Sequence, residues 1–293
     1  MHNELTVADV VHEAIARSYA RLVANEPGLW LGRDPESVHQ ARVAVRRLRS
    51  DLRTFEDFIE RDWSDELRAE LKWLGAELGI VRDQEVMRDR LRDHARKLPH
   101  AEADTARRVI RRLDADREAA RRDLLAMLGE ARYARLRHSL DRAAQHPETT
   151  YEAKQLARQA LAPVVRARYK QLQRDVKRLS KNPPDEALHA VRIRAKRCRY
   201  ACEASVTAFG KPASHLANAL ADVQDVLGEH QDAVVAISWL NKTAHECSPA
   251  EAFAVGMLAQ VEREAACDSR AAFPATWKRA RKWHLRAWLW ASA

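Results

Sequence analysis

Glycine is scarce in this 293-residue chain, at 8 residues, and proline is modest at 10. Few positions therefore break a helix, and no segment shows the sustained apolar–polar alternation of a half-buried strand. Aromatic residues make up 6%, so a core has to be built mainly of Ala, Leu and Val. The four cysteines, Cys198, Cys202, Cys247 and Cys267, form no CxxC pair and lack zinc-ligand spacing. Cys198 and Cys202 share a helix face at i, i+4 and read as small core residues. No stretch of about 18 apolar residues exists to cross a membrane. The start, MHNELTVADVV, has no basic segment followed by an apolar run, so no signal peptide is expected. A soluble, reduced, cytoplasmic protein is the expectation. There is also no Walker A loop, no HExxH and no carboxylate cluster suited to Mg²⁺, so no cofactor and no catalysis are expected.

What the chain does have is helix formers and positive charge. Ala, Leu, Arg and Glu dominate. Charged residues reach 32%, the net charge is +9 and the pI is about 9.6. That balance favours a polyanionic partner: nucleic acid, anionic lipid or polyphosphate. A solvated basic surface with no fixed partner is the bland alternative.

One basic helix is written twice. HQARVAVRRLR runs from His39 to Arg49 and HAVRIRAKRCR from His189 to Arg199, an offset of 150 residues. His39 matches His189, Arg42 matches Arg192, Arg46 matches Lys196, Arg47 matches Arg197 and Arg49 matches Arg199. A repeat of this length points to a duplicated unit. The expected architecture is all-α, two four-helix bundles, one over residues 1–147 and one over 148–293.

Helix punctuation supports this order. Thr6 to about Asn25 reads as a first helix broken by Glu26, Pro27, Gly28 and Gly32. Asp34–Pro35 is a start signal for the basic helix, expected to reach about Arg61. Leu67, Leu71, Leu74, Leu78 and Val81 recur at helical spacing in a third helix ending before Pro99. Ala101 to Gln145 reads as one long helix or a pair, with Gly129 as a break. In the second half, Tyr151–Leu179 is expected to be helical with Pro163 as a kink or break. The second basic helix runs from Asp185 to about Phe209, a third from about Ala213 to Leu240, and a fourth starts at Ser248 with Glu251 completing a capping box. The tail from Phe273 to Trp290 holds Trp277, Trp283, Trp288 and Trp290 among basic residues. It either packs its tryptophans on the second bundle or lies on an anionic membrane.

At about 100° per residue, His39, Arg42, Arg46, Arg49 and Arg53 share one side of their helix. Ala41, Val45, Leu48, Leu52 and Phe55 form the apolar arc beside it, and Arg47 lies apart. His189, Arg192, Lys196 and Arg199 form the second stripe, beside Val191, Ala195, Cys198 and Cys202; Glu203 stands where the first copy has Arg53. Like charges at this spacing repel by a few tenths of a kcal/mol per pair. Carboxylates from other helices or a bound anion therefore have to neutralise the rows. Arginine's planar fork suits phosphate, and a histidine at the head of each row can donate a hydrogen bond or carry charge.

These strings resemble the CHAD family, the conserved histidine α-helical domain. The resemblance rests on VHQARVAVRRLRSDLRTF (38–55), LKWLGAELGIVRDQEVM (71–87), ALHAVRIRAKRCRYACE (187–203) and LADVQDVLGEHQDAVV (220–235). It implies paired helical bundles related by a pseudo-twofold axis, whose basic helices line a central cleft or groove, binding to inorganic polyphosphate, and association with polyphosphate granules. It places His39, Arg42, Arg46, Arg49 and Arg53 on one wall and His189, Arg192, Lys196 and Arg199 on the other. A further stripe, Arg166, Lys170, Arg174 and Lys177, follows from helical spacing. Arg82 and Asp83 match a family motif but equally suit a structural salt bridge. The ExExK strand of a triphosphate-tunnel domain is absent, as in a stand-alone version. Nucleic acid is the main rival ligand, weakened by the few aromatics in the stripes and by the absence of a recognised binding motif. A cationic groove that binds substrate and product alike does not accelerate a reaction.

Overall fold

The computed structural model describes residues 5–32 and 34–291. They are helical almost throughout, with no strand among them. The elements are α1 (Val7–Leu31), α2 (Pro35–Thr54), α3 (Arg61–Ala95), α4 (His100–Ile110), α5 (Arg112–Leu128) and α6 (Ala131–Gln145). A 3₁₀ turn at Tyr151–Lys154 leads to α7 (Ala157–Lys177), α8 (Asp185–Ala204), α9 (Val206–Phe209), α10 (Lys211–Ala244), α11 (Pro249–Ala280) and α12 (Trp283–Arg286), closed by a second 3₁₀ turn at Ala287–Leu289.

The start signals act as the sequence suggests. Asp34 accepts a hydrogen bond from the Glu36 amide (2.9 Å) with Pro35 in the first helical turn, and Ser248 and Glu251 form a capping box. Several boundaries differ from expectation. The first helix continues through Pro27 to Leu31 and ends at Gly32, whose φ of 69° is left-handed. An interior proline costs roughly 3 kcal/mol. Tertiary contacts hold this turn: Leu29 is buried, and Glu26 accepts from the Tyr133 hydroxyl (2.7 Å) and pairs with Arg137 (2.6 Å). Gly28 permits close approach to α2, for a Cβ there would stand 2.5 Å from Ser37 Cβ.

The basic helix stops at Thr54, not Arg61, because the turn that follows swings Phe55, Phe58 and Ile59 into the core. The backbone there pairs antiparallel with Glu148–Thr150, through Glu60 N–H to Glu148 O (2.9 Å) and Thr150 N–H to Phe58 O (3.0 Å). Residues 101–145 form parts of three helices, broken at Arg111 as well as at Gly129. The second basic helix breaks at Ser205, and the tail is not one helix: α11 runs through Pro274 to Ala280, leaving only the short segment from Trp283 onward. Pro163 sits inside a continuous α7.

Three apolar clusters hold these helices. The first joins α1, α2, the first half of α3, the end of α5 and α6, and also takes in Ala157, Leu161, Ala204 and Ala208. The second joins α7, α8, the first half of α10 and the end of α11, around Tyr169, Cys198, Cys202 and Leu220. The third lies where the far ends of α3 and α10 meet α4 and α11, with Leu91, Val109, Leu240 and Leu258. The long α3 and α10 thus each leave one cluster and enter the shared one, while α2 and α8 pack directly on each other. Three tryptophans of the tail pack inward, while Trp283 stays 57% exposed: Trp277 stacks on Tyr169 (6.3 Å), Trp290 meets it edge-on (6.4 Å), and Trp288 contacts Phe209 (4.5 Å).

Gly28→Ala should destabilise the fold by about 1–3 kcal/mol through overpacking, read as a lower melting temperature, and Ser37→Gly in the same chain should restore most of the loss. An unchanged melting temperature would contradict the close α1–α2 approach.

Candidate anion-binding site

The geometry of the cleft begins with two glycines. Arg42 extends from α2 across α3 at Gly79, where a Cβ would lie 2.6 Å from Arg42 Nη1. Arg192 extends from α8 across α10 at Gly228, where a Cβ would lie 3.6 Å from its Nε. Each arginine has a carboxylate one turn further on. Arg42 pairs with Asp83 (3.1 Å), and Arg192 lies beside Asp232, whose pKa is raised first by burial and lowered in part by Arg192. The two histidines also meet these flanking helices. His189 Nδ1 is 2.7 Å from Gln231 Oε1, a contact that requires Nδ1–H as donor. His39 faces Arg82; burial, then that charge, lowers its pKa and favours the neutral ring.

Between the arginines lies the centre of the cluster. Lys196 has a pKa pulled down to about 7, first by burial, then by the charges of Arg46, Arg192, Arg42 and Arg199. Burial also lowers the pKa of Arg46, with Arg42 and Arg199 acting in the same direction. Among these groups Arg42 Nη1, Arg46 Nε, Arg192 Nε and Arg199 Nε are buried and have no hydrogen-bond partner in the protein. A buried cation without a counter-charge is costly, and the nearest carboxylate on α8 is already engaged: Glu203 bonds Arg47 and lies 3.7 Å from Arg199. Tyr200 offers its ring face to the guanidiniums of Arg46, Arg47 and Arg199, at 5.9, 4.9 and 4.9 Å.

A second group of cations continues from the first. Arg49 lies near Arg68 and Arg53, and its pKa is lowered by burial and then by both charges. Arg53 stands near Arg197, whose pKa falls by burial and then by Arg53, Arg194 and Arg168. Arg168 of α7 donates to the Arg53 carbonyl (2.7 Å). Between the two helices Arg47 pairs with Glu203, whereas Arg53 and Arg197 are like charges close enough to act on each other.

The structure therefore brings together His39, Arg42, Arg46, Arg49 and Arg53 with His189, Arg192, Lys196 and Arg199. For Arg166, Lys170, Arg174 and Lys177 no hydrogen bond or ion pair to these residues is found among the described residues. Lys170, Arg174 and Lys177 are exposed and Arg166 is half-buried, and none lines the cavity beside Arg42 and Arg192. Helical spacing showed that these four share a stripe but not where the stripe faces. Sequence reasoning set Arg47 aside and passed over Arg168, Tyr200 and the two glycines. The LG…D strings that contain Gly79 and Gly228 held that signal, since glycine on a helix face marks a close approach. The Arg82–Asp83 pair divides: Asp83 holds Arg42, while Arg82 bonds Glu85 (3.3 Å).

No group of three or more His, Cys, Asp or Glu side chains among the described residues has metal-binding geometry, and no helix there is long and apolar enough to cross a membrane. The chemistry on offer is anion binding by guanidinium, ammonium and imidazole groups in a partly dehydrated setting.

Comparison with known proteins gives the family. The CHAD domain family model matches residues 13–241, and the chain belongs to that family. It is 30% identical over 279 residues to the proteins called uncharacterized protein MT2285 and uncharacterized protein Rv2226, from two strains of Mycobacterium tuberculosis, over 88% of this chain. The match takes in 50% of each relative, so the chain spans about half their length. Among solved structures it resembles PptA from Streptomyces chartreusis (TM-score 0.80, 23% identity, covering 94% of this chain and 100% of that one). It also resembles the CHAD domain from the plant Ricinus communis (TM-score 0.65, 25% identity, covering 100% of this chain and 94% of that one).

Lys196 gives a test of the cluster with its sign fixed. Between pH 7 and 10.5 the unfolded chain binds a proton at this lysine that the folded chain does not, so the destabilisation that Lys196 causes is largest at and below pH 7 and fades as pH rises across that window. Lys196→Met should raise the melting temperature, by more at pH 6.5 than at pH 9.5. Equal shifts at both pH values would place Lys196 outside the cationic cluster.

Proposed function

We propose that this protein binds inorganic polyphosphate along the cationic row formed by α2 and α8, without catalysing a reaction on it. The observation that carries this reading is the buried set of guanidinium groups around Lys196, with four N–H donors that no protein atom accepts. A polyanion supplies both the counter-charge and the acceptors. The row is long, from Arg42 and Arg192 through Arg46 and Lys196 to Arg49 and Arg53, and offers repeated, similar contacts in place of a single shaped pocket. That suits a polymer of identical units. The family resemblance carries the same expectation, together with a place on polyphosphate granules.

Nucleic acid shares the phosphate contacts and serves as the control. Its bases need stacking surfaces or groove-reading side chains. Among the described residues along the row, Tyr200 is already covered by arginines of this protein, and the half-buried Trp239 lies only beyond the Arg42–Arg192 end. RNA and duplex DNA should therefore bind more weakly than polyphosphate of equal charge.

Arg42→Glu with Arg46→Glu should lower affinity for long-chain polyphosphate at least tenfold, an estimate from the strength of charge-assisted contacts, while the helical circular-dichroism signal is kept. The wild-type log–log dependence on salt should approach about −0.7 to −0.9 per phosphate neutralised, by analogy with nucleic acids. Wild-type affinity in the double variant would overturn the site. Equal binding of polyphosphate, RNA and DNA would replace polyphosphate by a general phosphate-backbone reading.

A further inference from the structure

One cavity is not explained by a polymer made only of phosphate. It measures about 750 Å³ and opens between α3 and α10, with Arg42 and Arg192 among its lining residues. From those two guanidiniums it extends past Asp83, Arg90 and Lys242 over an apolar wall of Met87, Leu113, Val235 and Trp239. Val235 is 46% exposed, and Trp239 is half-buried, resting on the third apolar cluster. Polyphosphate gains nothing from such a wall. Asp232, Gln231 and Ser238 also line the space and supply acceptors and hydroxyls. Ribose hydroxyls and exocyclic amines are donors that these oxygens accept from.

The size also fits. Sites for small organic ligands span roughly 300–1,000 Å³, mostly apolar with a few placed polar groups. The guanidiniums of Arg42 and Arg192, which line the space, mark the phosphate end. Trp239 and Met87 mark an end suited to a flat, weakly polar ring, since indole and thioether groups both pack favourably on aromatic faces.

From this juxtaposition we propose that the α3–α10 cavity is a nucleoside polyphosphate site, with the base against Trp239 and Met87, the sugar near Asp232 and Gln231, and the phosphates on Arg42 and Arg192. It takes its phosphate half from the polyphosphate reading above and adds a specificity wall at the end of the cationic row. A nucleotide and the end of a polyphosphate chain would then compete for the same two arginines.

The test is calorimetric titration of the full chain with ATP, tripolyphosphate and long-chain polyphosphate at one salt concentration. ATP should bind about tenfold tighter than tripolyphosphate, because base stacking adds to the phosphate contacts. Trp239→Leu and, independently, the surface change Val235→Gln should remove that advantage while tripolyphosphate and long-chain polyphosphate bind as before. ATP binding no tighter than tripolyphosphate, or variants that weaken all three ligands alike, would overturn the nucleotide site. Loss of long-chain binding with the ATP preference intact would instead overturn the polymer reading and leave the cavity assigned.

Discussion

The direct packing of α2 on α8 is the constraint on which the rest of the structure depends. Each helix carries a row of cations, and crossing them confines both rows in one place, partly out of water. Coulomb repulsion grows as the local dielectric falls, so the arrangement works against folding. Lys196 records the cost: its ammonium is disfavoured to the point that it loses its proton near neutral pH. Glu203 relieves Arg47 and Arg199, and Asp83 relieves Arg42. Asp232 lies beside Arg192, which leaves Arg46 and Lys196 at the centre with no carboxylate of the described residues acting on them.

What keeps such a cluster in place is packing elsewhere. Three apolar clusters clamp the helices, and the third ties the far ends of α3 and α10 together through α4 and α11. A buried ion network strengthens that junction: Arg90 and His94 of α3 both hold the Glu262 carboxylate of α11 at 2.7 Å, and Arg90 also pairs with Glu229 of α10. With the ends fixed, α3 and α10 cannot spread to let the cations apart. Gly79 then lets a guanidinium lie directly on the helix backbone. Binding sites held this way are prepaid, in that ligand binding need not order the side chains again.

Much of this was legible in the residues, and the part that was not has physical reasons. The offset repeat named His39, Arg42, Arg46, Arg49, Arg53 and their counterparts because a cationic stripe has no packing role to explain it. The helical class followed from composition and periodicity, and Asp34–Pro35 and Ser248–Glu251 marked helix starts through local capping chemistry. Helix ends were less legible. Pro27 broke the first helix on local rules, yet Leu29 and the Glu26 contacts carry it onward, which is tertiary packing overriding propensity. The α7 stripe shows the limit of periodicity: spacing shows that Arg166, Lys170, Arg174 and Lys177 share a side, but only the neighbours of α7 decide which side reaches the cleft. Arg168, off that stripe, is the α7 arginine that donates to the Arg53 carbonyl of α2.

The central claim is that a polyanion neutralises the cluster around Lys196. It is tested most directly by counting protons during binding. Long-chain polyphosphate is titrated at pH 8 in two buffers of different ionisation enthalpy, with Lys196→Met alongside. Lys196 is mostly neutral at that pH, and an anion beside it raises its pKa. The account predicts uptake of a sizeable fraction of a proton, approaching about one per occupied cluster, that disappears in Lys196→Met. Binding heats that are the same in both buffers, or uptake that persists in the variant, would contradict it.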